Sequence, residues 1–218
     1  MNIEKTTSYK KIPKHIGVIP DGNRRWATAQ GLEKNQGYEY GVDPGIILCD
    51  LMANHGVEEV TFYGFTKDNN KRPKYQRESF TKACVASVNA VANKDANILV
   101  VGNTNPQIFP QELLPYTEKR VNFGNGKINI NFLINYDWKM DIESGLKNSD
   151  LNKIMSKDIS KIDMIIRWGG QRRLSGFLPI QSVYSDFFVV DNYWPSFKEE
   201  DFYAAMDWYQ TCDVTLGG

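Results

Sequence analysis

The chain has 218 residues, of which 41% are hydrophobic, and its 26 Lys and Arg residues equal its 26 Asp and Glu residues in number. This length and composition allow one domain with a substantial core, and the zero net charge excludes a general electrostatic attraction to nucleic acid. Any anion-binding site must therefore come from a local concentration of cationic side chains.

The cysteines and the N-terminal segment carry no targeting or metal-binding signal. Three widely spaced cysteines, Cys49, Cys84 and Cys212, form no C-x-x-C pair, and no histidine cluster accompanies them, so we expect free thiols in a reducing compartment. Residues 1–14 are polar and lysine-rich, without the apolar centre of a signal peptide or membrane span. We predict a cytoplasmic protein with no transmembrane segment, consisting of an N-terminal extension (1–14) and a single domain (15–218).

The first predicted unit joins a strand to a helix through an acidic turn. Residues 16–19 read as a buried strand, residues 20–23 as a turn, and Arg24 and Arg25 open a helix whose free N–H groups favour an anion. Asp21 stands at this anion position, where a carboxylate would repel a diphosphate unless a divalent cation lay between them. We therefore predict that Asp21 binds Mg²⁺ and that the arginines are counter-charges; the alternative is a helix-capping Asp21 beside solvated arginines.

Apolar runs rich in β-formers then alternate with helical patterns along the chain. The predicted strands are residues 16–19, 59–65, 98–102, 128–134, 162–167 and 187–190, and the predicted helices are 44–55, 78–93, 111–122, 141–146 and 198–209. This alternation predicts an α/β fold with a central, mostly parallel six-stranded sheet flanked by helices. Ligands of such sheets bind beyond the carboxyl ends of the strands, where Asp21, residues 66–72, Asn135 and Arg167 fall.

A second candidate anion site lies in residues 166–177. Arg167, Arg172, Arg173 and Ser175 surround a Gly-Gly turn. Glycines let the backbone approach a ligand, and guanidinium groups pair with phosphate oxygens. The segment predicts a diphosphate clamp, although a plain surface charge is an equal alternative for Arg172.

Three segments resemble the signatures of one family. Residues 15–27, 62–73 and 166–177 are similar to the N-terminal, central and C-terminal motifs of the cis-prenyltransferases of the undecaprenyl diphosphate synthase type, and the resemblance extends from His15 to about Gly218. It implies a Mg²⁺-dependent homodimer that condenses dimethylallyl, geranyl or farnesyl diphosphate with isopentenyl diphosphate into a short cis-prenyl diphosphate. The alternative is irregular head-to-middle joining of two dimethylallyl diphosphates, as in lavandulyl-type synthases.

The resemblance also implies roles for individual residues. The implied catalytic residues are Asp21, Asn23, Arg25, Thr66 and Asn69. The implied substrate contacts are Gly22, Arg24, Arg25, Trp26, Lys34, Tyr38, Phe65, Arg72, Arg167, Arg173 and Ser175. The implied Mg²⁺ ligands are Asp21 and Asp186, the latter in place of the family's usual glutamate.

Several positions depart from the long-chain members of the family. The departures are Pro20, Lys34, Tyr38, Asn70 and Gln171, and residues 215–217 lack the arginine of the family's usual ending. The product length and the choice between regular and irregular condensation therefore stay open. A non-catalytic partner subunit would be expected to lose the loop at residues 21–23, and a nucleotide-binding module would need a glycine-rich phosphate loop that this sequence lacks.

Overall fold

A seven-stranded sheet lies at the centre of the computed structural model, which describes residues 9–147 and 149–213. The strands are β1 (His15–Ile19), β2 (Glu59–Tyr63), β3 (Ala96–Val101), β4 (Val121–Phe123), β5 (Ile128–Leu133), β6 (Met164–Arg167) and β7 (Asp186–Val189). Their order is β4-β3-β5-β2-β1-β6-β7, and every pair is parallel except β3 with β4. The predicted α/β class with a mostly parallel sheet is confirmed.

Helices connect these strands and cover the sheet. They are α1 (Asn23–Ala29), α2 (Val42–Asn54), α3 (Lys74–Val91), α4 (Trp138–Lys147) and α5 (Glu199–Thr211). Short 3-10 helices at Gln36–Gly41 and Lys67–Lys71 border the candidate site. In residues 9–147 and 149–213, no helix is both long and apolar enough to cross a membrane.

The predicted helix at residues 111–122 is wrong. The segment forms a 3-10 helix, Gln111–Tyr116, followed by the short strand β4, which pairs antiparallel with β3. Pro115 lies inside this short helix, and proline has no N–H to donate and clashes with the preceding turn of an α-helix. The chain is therefore free to extend and add a seventh strand at the sheet edge.

Both faces of the sheet are buried, as expected for parallel strands. All five residues of β1 are buried. Ile16 and Val18 belong to one hydrophobic cluster, which includes Leu48 of α2, whereas Ile19 belongs to a second cluster around Phe177. This double burial fixes the strands, so that their carboxyl ends present loops at one edge.

A buried chain of hydrogen bonds crosses the amino-terminal half of the sheet. Asn131 Nδ2 donates to Thr61 Oγ1 at 2.9 Å, and Thr61 lies 2.8 Å from His15 Nε2. On the other side of the imidazole, Nδ1 lies 3.1 Å from the Ser160 carbonyl. Burial lowers the pKa of His15, although the nearby Glu59 carboxylate opposes this shift. The network therefore holds a neutral histidine, with Nδ1–H donating and Nε2 accepting.

The N-terminal residues that the structure describes pack against α5. The backbone N–H of Lys11 donates to Gln210 Oε1 at 3.0 Å, and Gln210 Nε2 donates to the Lys11 carbonyl at 2.8 Å. The earlier part of the expected extension (1–8) and the C-terminal residues 215–217 lie outside the described residues.

Candidate active site

The loop between β1 and α1 exposes a carboxylate at the carboxyl edge of the sheet. Gly22 has φ of +104°, and a Cβ there would lie 2.7 Å from the Tyr193 ring, so the turn requires glycine. Gly22 occupies the position before α1, and no side chain caps the helix. Asp21 Oδ1 instead accepts a 2.6 Å hydrogen bond from the N–H of Gly22. The alternative that Asp21 caps the helix is therefore wrong.

The structure brings the N-terminal and C-terminal motifs into direct contact. Arg167 Nη2 donates to Asp21 Oδ2 at 2.9 Å, and Arg25 Nη2 lies 3.4 Å from Asp21 Oδ1. The pairing of β1 with β6 explains this contact, because Ile19 lies beside Arg167 at the last position of both strands. Asp21 is thus held between two guanidinium groups, with 34% of its side chain still exposed.

Arg167 organises the loop that follows it. Its Nη1 donates to the Arg173 carbonyl and, at 3.0 Å, to Ser175 Oγ. The Arg167 side chain is only 4% exposed. Ser175 has φ of +54°, and its carbonyl accepts a 2.8 Å hydrogen bond from the Tyr63 hydroxyl. Arg167 therefore holds this loop from its buried side, whereas Arg173 and Ser175 are exposed.

These side chains line a cavity of about 930 Å³. Six cationic side chains contribute to its wall in the described part of the chain: Arg24, Arg25, Lys34, Arg72, Arg167 and Arg173. Two acidic side chains, Asp21 and Asp68, leave a net formal charge of +4 at a cavity in a chain whose formal net charge is zero. Such a cavity focuses a positive potential and favours a polyanionic ligand.

Arg25 is fixed by two neighbours besides Asp21. Its guanidinium carbon lies 4.9 Å from the centre of the Tyr193 ring, a cation–π contact. Gly169 has φ of +84°, and a Cβ at this position would lie 2.6 Å from Arg25 Nη2. The N–H of Gly169 donates to the Asn192 carbonyl at 2.7 Å, which ties the loop after β6 to the loop after β7.

A second, smaller cavity of about 70 Å³ adjoins the cationic one. Its wall is mainly apolar and is formed by α2, α3 and the ends of β2 and β5, with Ile46, Phe62, Ala83, Val91 and Phe132 among its members. Tyr38, Phe80, Pro20, Asn23 and Gly64 line both cavities. The site therefore consists of the cationic cavity and the apolar cavity that adjoins it.

The central motif holds its own loop. Thr66 and Asn69 cap the 3-10 helix reciprocally: the Thr66 N–H donates to Asn69 Oδ1 at 2.9 Å, and the Asn69 N–H donates to the Thr66 carbonyl at 2.9 Å. Both residues line the cationic cavity. Arg72 follows the loop, and its Nη1 donates to the Tyr38 hydroxyl at 2.9 Å.

Most of the residues expected at the site line the cationic cavity, but several do not, among them Trp26, Phe65, Asn135, Arg172 and Asp186. Phe65 is buried behind Phe80, with ring centres 5.5 Å apart, and the Trp26 ring packs at a tilt against Tyr40, with ring centres 4.7 Å apart. Asn135 is buried, and its Nδ2 donates to the Asn103 carbonyl at 2.7 Å. Neither cavity includes Phe65, Trp26 or Asn135 in its wall, so their placement favours structural roles.

The structure does not bring Asp186 to Asp21 within one chain. Asp186 begins β7 and lies beside Met164, the first residue of β6. Asp21 lies beyond the other end of the strands, where Ile19, Arg167 and Val189 are neighbours. Three residues of strand separate these two ends, about 10 Å at roughly 3.3 Å per residue. Burial and then the Asp186 carboxylate raise the pKa of the Cys212 thiol, which places Asp186 near the end of α5. The structure therefore contradicts the prediction that Asp21 and Asp186 of one chain share a cation site.

The remaining donors still suit Mg²⁺. In the residues that the structure describes, no three His, Cys, Asp or Glu side chains form a metal cage. Mg²⁺ commonly uses one or two carboxylates, water and substrate phosphates, so the partly exposed Asp21 carboxylate beside a cationic cavity fits this pattern. Zn²⁺ or another metal that needs a full set of protein ligands does not fit it.

Two aromatic residues on the cavity wall were not among the residues expected at the site. Tyr63 and Tyr193 both line the cationic cavity. Tyr63 ends β2 and Tyr193 follows β7, so both lie at the carboxyl edge where the polar loops converge. This position is the feature of the sequence that could have indicated a site residue, because an aromatic residue at the carboxyl end of a strand can face a ligand even where its neighbours belong to the core.

The fold and the site together define an α/β protein with a cationic cavity at the carboxyl edge of a parallel sheet and an apolar chamber beside it. The family model described as putative undecaprenyl diphosphate synthase matches residues 19–217, and the chain belongs to this family.

Relatives across nearly the whole chain agree with this assignment. A ditrans,polycis-undecaprenyl-diphosphate synthase of Buchnera aphidicola is 28% identical over 233 aligned residues, which cover 96% of this chain and 93% of that protein. An isoprenyl transferase of Fusobacterium nucleatum is 29% identical, with coverage of 96% and 97%. The lavandulyl diphosphate synthase of Lavandula x intermedia, solved with dimethylallyl diphosphate, superposes with a TM-score of 0.76 over 94% of this chain and 98% of its own, and its 18% identity supports the shared fold alone.

Proposed function

We propose that this chain is a Mg²⁺-dependent prenyltransferase that joins an allylic prenyl diphosphate to isopentenyl diphosphate and releases a short cis-prenyl diphosphate. The observation that carries the proposal is the 2.9 Å contact between Asp21 and Arg167, because it unites both diphosphate motifs on one cavity. The names of the curated relatives support the same reaction class.

The cavity offers separate groups for two diphosphates. Arg24, Arg25 and Arg72 surround the Asp21 side of the wall and would bind the allylic diphosphate. Arg173 and Ser175 lie on the loop after β6 and would bind isopentenyl diphosphate. Guanidinium groups suit this task, since their paired donors match phosphate oxygens.

Asp21 would hold Mg²⁺ against the diphosphate oxygens. When bound, Mg²⁺ stabilises the negative charge that develops on the leaving diphosphate. Arg25 is preset toward the same region by Tyr193 and Asp21, which lowers the reorganisation needed in the transition state. The apolar chamber beside Pro20 and Asn23 would take the prenyl tail out of water.

The reaction can be tested with purified protein. Dimethylallyl, geranyl and farnesyl diphosphates are each supplied with and without labelled isopentenyl diphosphate, and with Mg²⁺ or excess EDTA. We expect a cis product that requires isopentenyl diphosphate, disappears with EDTA and returns when Mg²⁺ is restored. Turnover by this chain alone also excludes a non-catalytic partner subunit.

Two other outcomes would change the proposal. A product from dimethylallyl diphosphate alone would favour irregular, head-to-middle condensation. The absence of any product, together with thermal stabilisation by ATP, would instead favour a nucleotide-binding module. A cytoplasmic location stays a prediction.

A homodimer is a further part of the proposal. In the described residues β7 is an outer strand of the sheet, and Val183 and Tyr184, just before it, are 66% and 67% exposed. Exposed apolar side chains next to an unpaired strand edge favour contact with a second chain. We expect light scattering to report twice the 24.9 kDa chain mass and Val183→Lys to lower it; a monomeric wild type would contradict the dimer.

A further inference from the structure

Two aromatic rings lie at the boundary between the cationic and apolar cavities. Five residues line both cavities, and Tyr38 and Phe80 have the largest side chains among them. A ligand with its diphosphate in the first cavity and its apolar tail in the second must pass these two rings. We call the Tyr38–Phe80 pair the throat.

The two rings of the throat are stacked on each other, and a third ring packs against them. The Tyr38 and Phe80 ring centres lie 4.5 Å apart with an interplanar angle of 6°. Phe65 packs against Phe80 from behind, edge to face, at 5.5 Å. Tyr38 lies within the 3-10 helix Gln36–Gly41 and is buried, so its ring has little freedom to move away. The stack is therefore an ordered constriction.

Arg72 connects this constriction to the diphosphate side. Its Nη1 donates to the Tyr38 hydroxyl at 2.9 Å, and its guanidinium carbon lies 5.5 Å from the centre of the Phe80 ring. Burial raises the pKa of Tyr38, so its hydroxyl is neutral, and it accepts a hydrogen bond from a guanidinium group, which stays protonated in proteins. The remaining donors of Arg72 stay available to a ligand in the cationic cavity.

Little space remains behind the throat. The apolar cavity measures about 70 Å³, against about 300–1,000 Å³ for pockets that enclose drug-sized ligands. Phe62 and Phe132 stack at 5.5 Å on its wall. The backbone at Gly64 is tightly packed at the boundary, because a Cβ there would lie 2.8 Å from the Leu133 carbonyl oxygen. A long prenyl chain could enter only if side chains moved.

We propose that Tyr38 couples the two halves of the site: its hydroxyl positions Arg72 for the allylic diphosphate, and its ring, stacked on Phe80, limits the length of the prenyl product. This inference rests on the proposed function. It assigns two separable tasks to one side chain, and the two tasks predict different results for different substitutions.

Tyr38→Phe keeps the ring and removes the hydroxyl. We expect the KM for the allylic diphosphate to rise about tenfold with kcat changed less than about threefold, because a hydrogen bond to a charged group is lost. Binding of inorganic diphosphate, measured by calorimetry, should weaken by a similar factor. The product length should stay that of the wild type.

Tyr38→Ala and Phe80→Ala remove half of the throat. With farnesyl diphosphate and excess labelled isopentenyl diphosphate, we expect both variants to make products longer than those of the wild type by at least one five-carbon unit. Tyr75→Ala, an exposed aromatic residue on the same helix as Phe80, is the matched control and should leave the product unchanged. Phe80→Leu provides a milder opening if an alanine variant fails to fold, as judged by thermal unfolding.

Failure of this inference can be told apart from failure of the proposed function. A wild type that forms no prenyl product would refute the proposed function, and the length limit with it. An active wild type whose folded Tyr38→Ala, Phe80→Ala and Phe80→Leu variants give unchanged product lengths would overturn the length limit alone. An unchanged KM and an unchanged diphosphate affinity in Tyr38→Phe would overturn the positioning role.

Discussion

Asp21 and Arg167 are 146 positions apart in sequence, yet their side chains meet at 2.9 Å over the ends of neighbouring strands. The contact is asymmetric, because Arg167 is almost fully buried whereas a third of Asp21 is exposed. The buried guanidinium neutralises part of the carboxylate and holds it in one orientation. Asp21 thus presents a partly exposed carboxylate to the cavity in a fixed orientation.

Asp21→Ala should abolish most activity and also destabilise the protein. Loss of the proposed metal ligand is expected to lower kcat by at least about 100-fold, the scale of losing one strong electrostatic group. Removing the partner of a buried charge costs about 3–5 kcal/mol, and since Asp21 is partly exposed we expect about 1–3 kcal/mol in the free energy of unfolding. Steady-state kinetics and urea unfolding measure the two effects.

Asp21→Asn separates these two roles. The amide oxygen can still accept from Arg167, so most of the stability should return, while the charge that Mg²⁺ requires is absent. Asp50→Asn, on α2 and paired with Lys94 away from both cavities, is the matched control. Activity of Asp21→Asn within tenfold of the wild type would contradict the metal-binding role.

Arg173→Ala should mainly weaken binding of isopentenyl diphosphate. Arg173 is exposed on the cavity wall, and its Nη1 donates to Gln171 Oε1 at 2.7 Å, a neutral partner that leaves the positive charge uncompensated. Loss of a charge-assisted hydrogen bond is expected to raise the KM by roughly 10–100-fold with a smaller change in kcat. Arg172→Ala serves as control, since Arg172 is exposed but does not line the cavity. Equal effects of the two substitutions would reject the assignment.

Gly169→Ala should disturb Arg25. The added Cβ would lie 2.6 Å from Arg25 Nη2, and φ of +84° strains any residue with a side chain. Gly31→Ala is a matched control, because Gly31 has φ of +71° and no atom within 4 Å of its would-be Cβ. We expect both to lose about 1 kcal/mol of stability from backbone strain, and only Gly169→Ala to lose activity. Equal activity of the two variants would show that the close approach to Arg25 has no catalytic consequence.

Stability should fall in mild acid because of His15. Burial lowers the pKa of His15 in the folded protein, so below the unfolded value of about 6.5 the unfolded chain binds more protons. The stability contribution is thus complete above that value and declines as the pH falls toward the folded pKa. The slope for one proton is at most about 1.4 kcal/mol per pH unit.

Thermal unfolding between pH 5 and pH 8 tests the role of His15. The quantity compared between His15→Gln and His55→Gln is the slope of stability against pH, not the absolute stability. The two variants cover both histidines of the chain. His15→Gln should flatten the profile, whereas His55→Gln should keep it. A His15→Gln profile as steep as that of the wild type would assign the acid sensitivity elsewhere.

Much of the fold could be predicted because its signals are local. The runs that became β1, β2, β3, β5, β6 and β7 are short and apolar, and each is followed by turn residues or a helical pattern. The wrong prediction of a helix at residues 111–122 has a local cause too. The apolar spacing indicated a helix, but Pro115 is incompatible with the interior of an α-helix. The strand β4 is too short to be recognised without its partner β3.

The candidate site was predictable where chemistry and motif coincided. Asp21, Arg25, Arg72, Arg167 and Arg173 all line the cationic cavity, as their position at strand ends suggested. The pattern could not reveal that Arg167 would be buried beneath its own loop. Which donors a side chain has left over depends on neighbours that are distant in sequence.

The amino-acid sequence by itself determined the α/β alternation, the glycine-dependent turn that carries Asp21, and the clusters of arginine at two strand ends. These properties follow from periodicity and from residue chemistry within short segments. Only the tertiary structure decided that Asp186 lies at the opposite edge from Asp21, that Tyr63 and Tyr193 face the cavity, and that Tyr38 joins Arg72 to Phe80. Strand register and packing between distant segments set these distances, and a local pattern does not contain them.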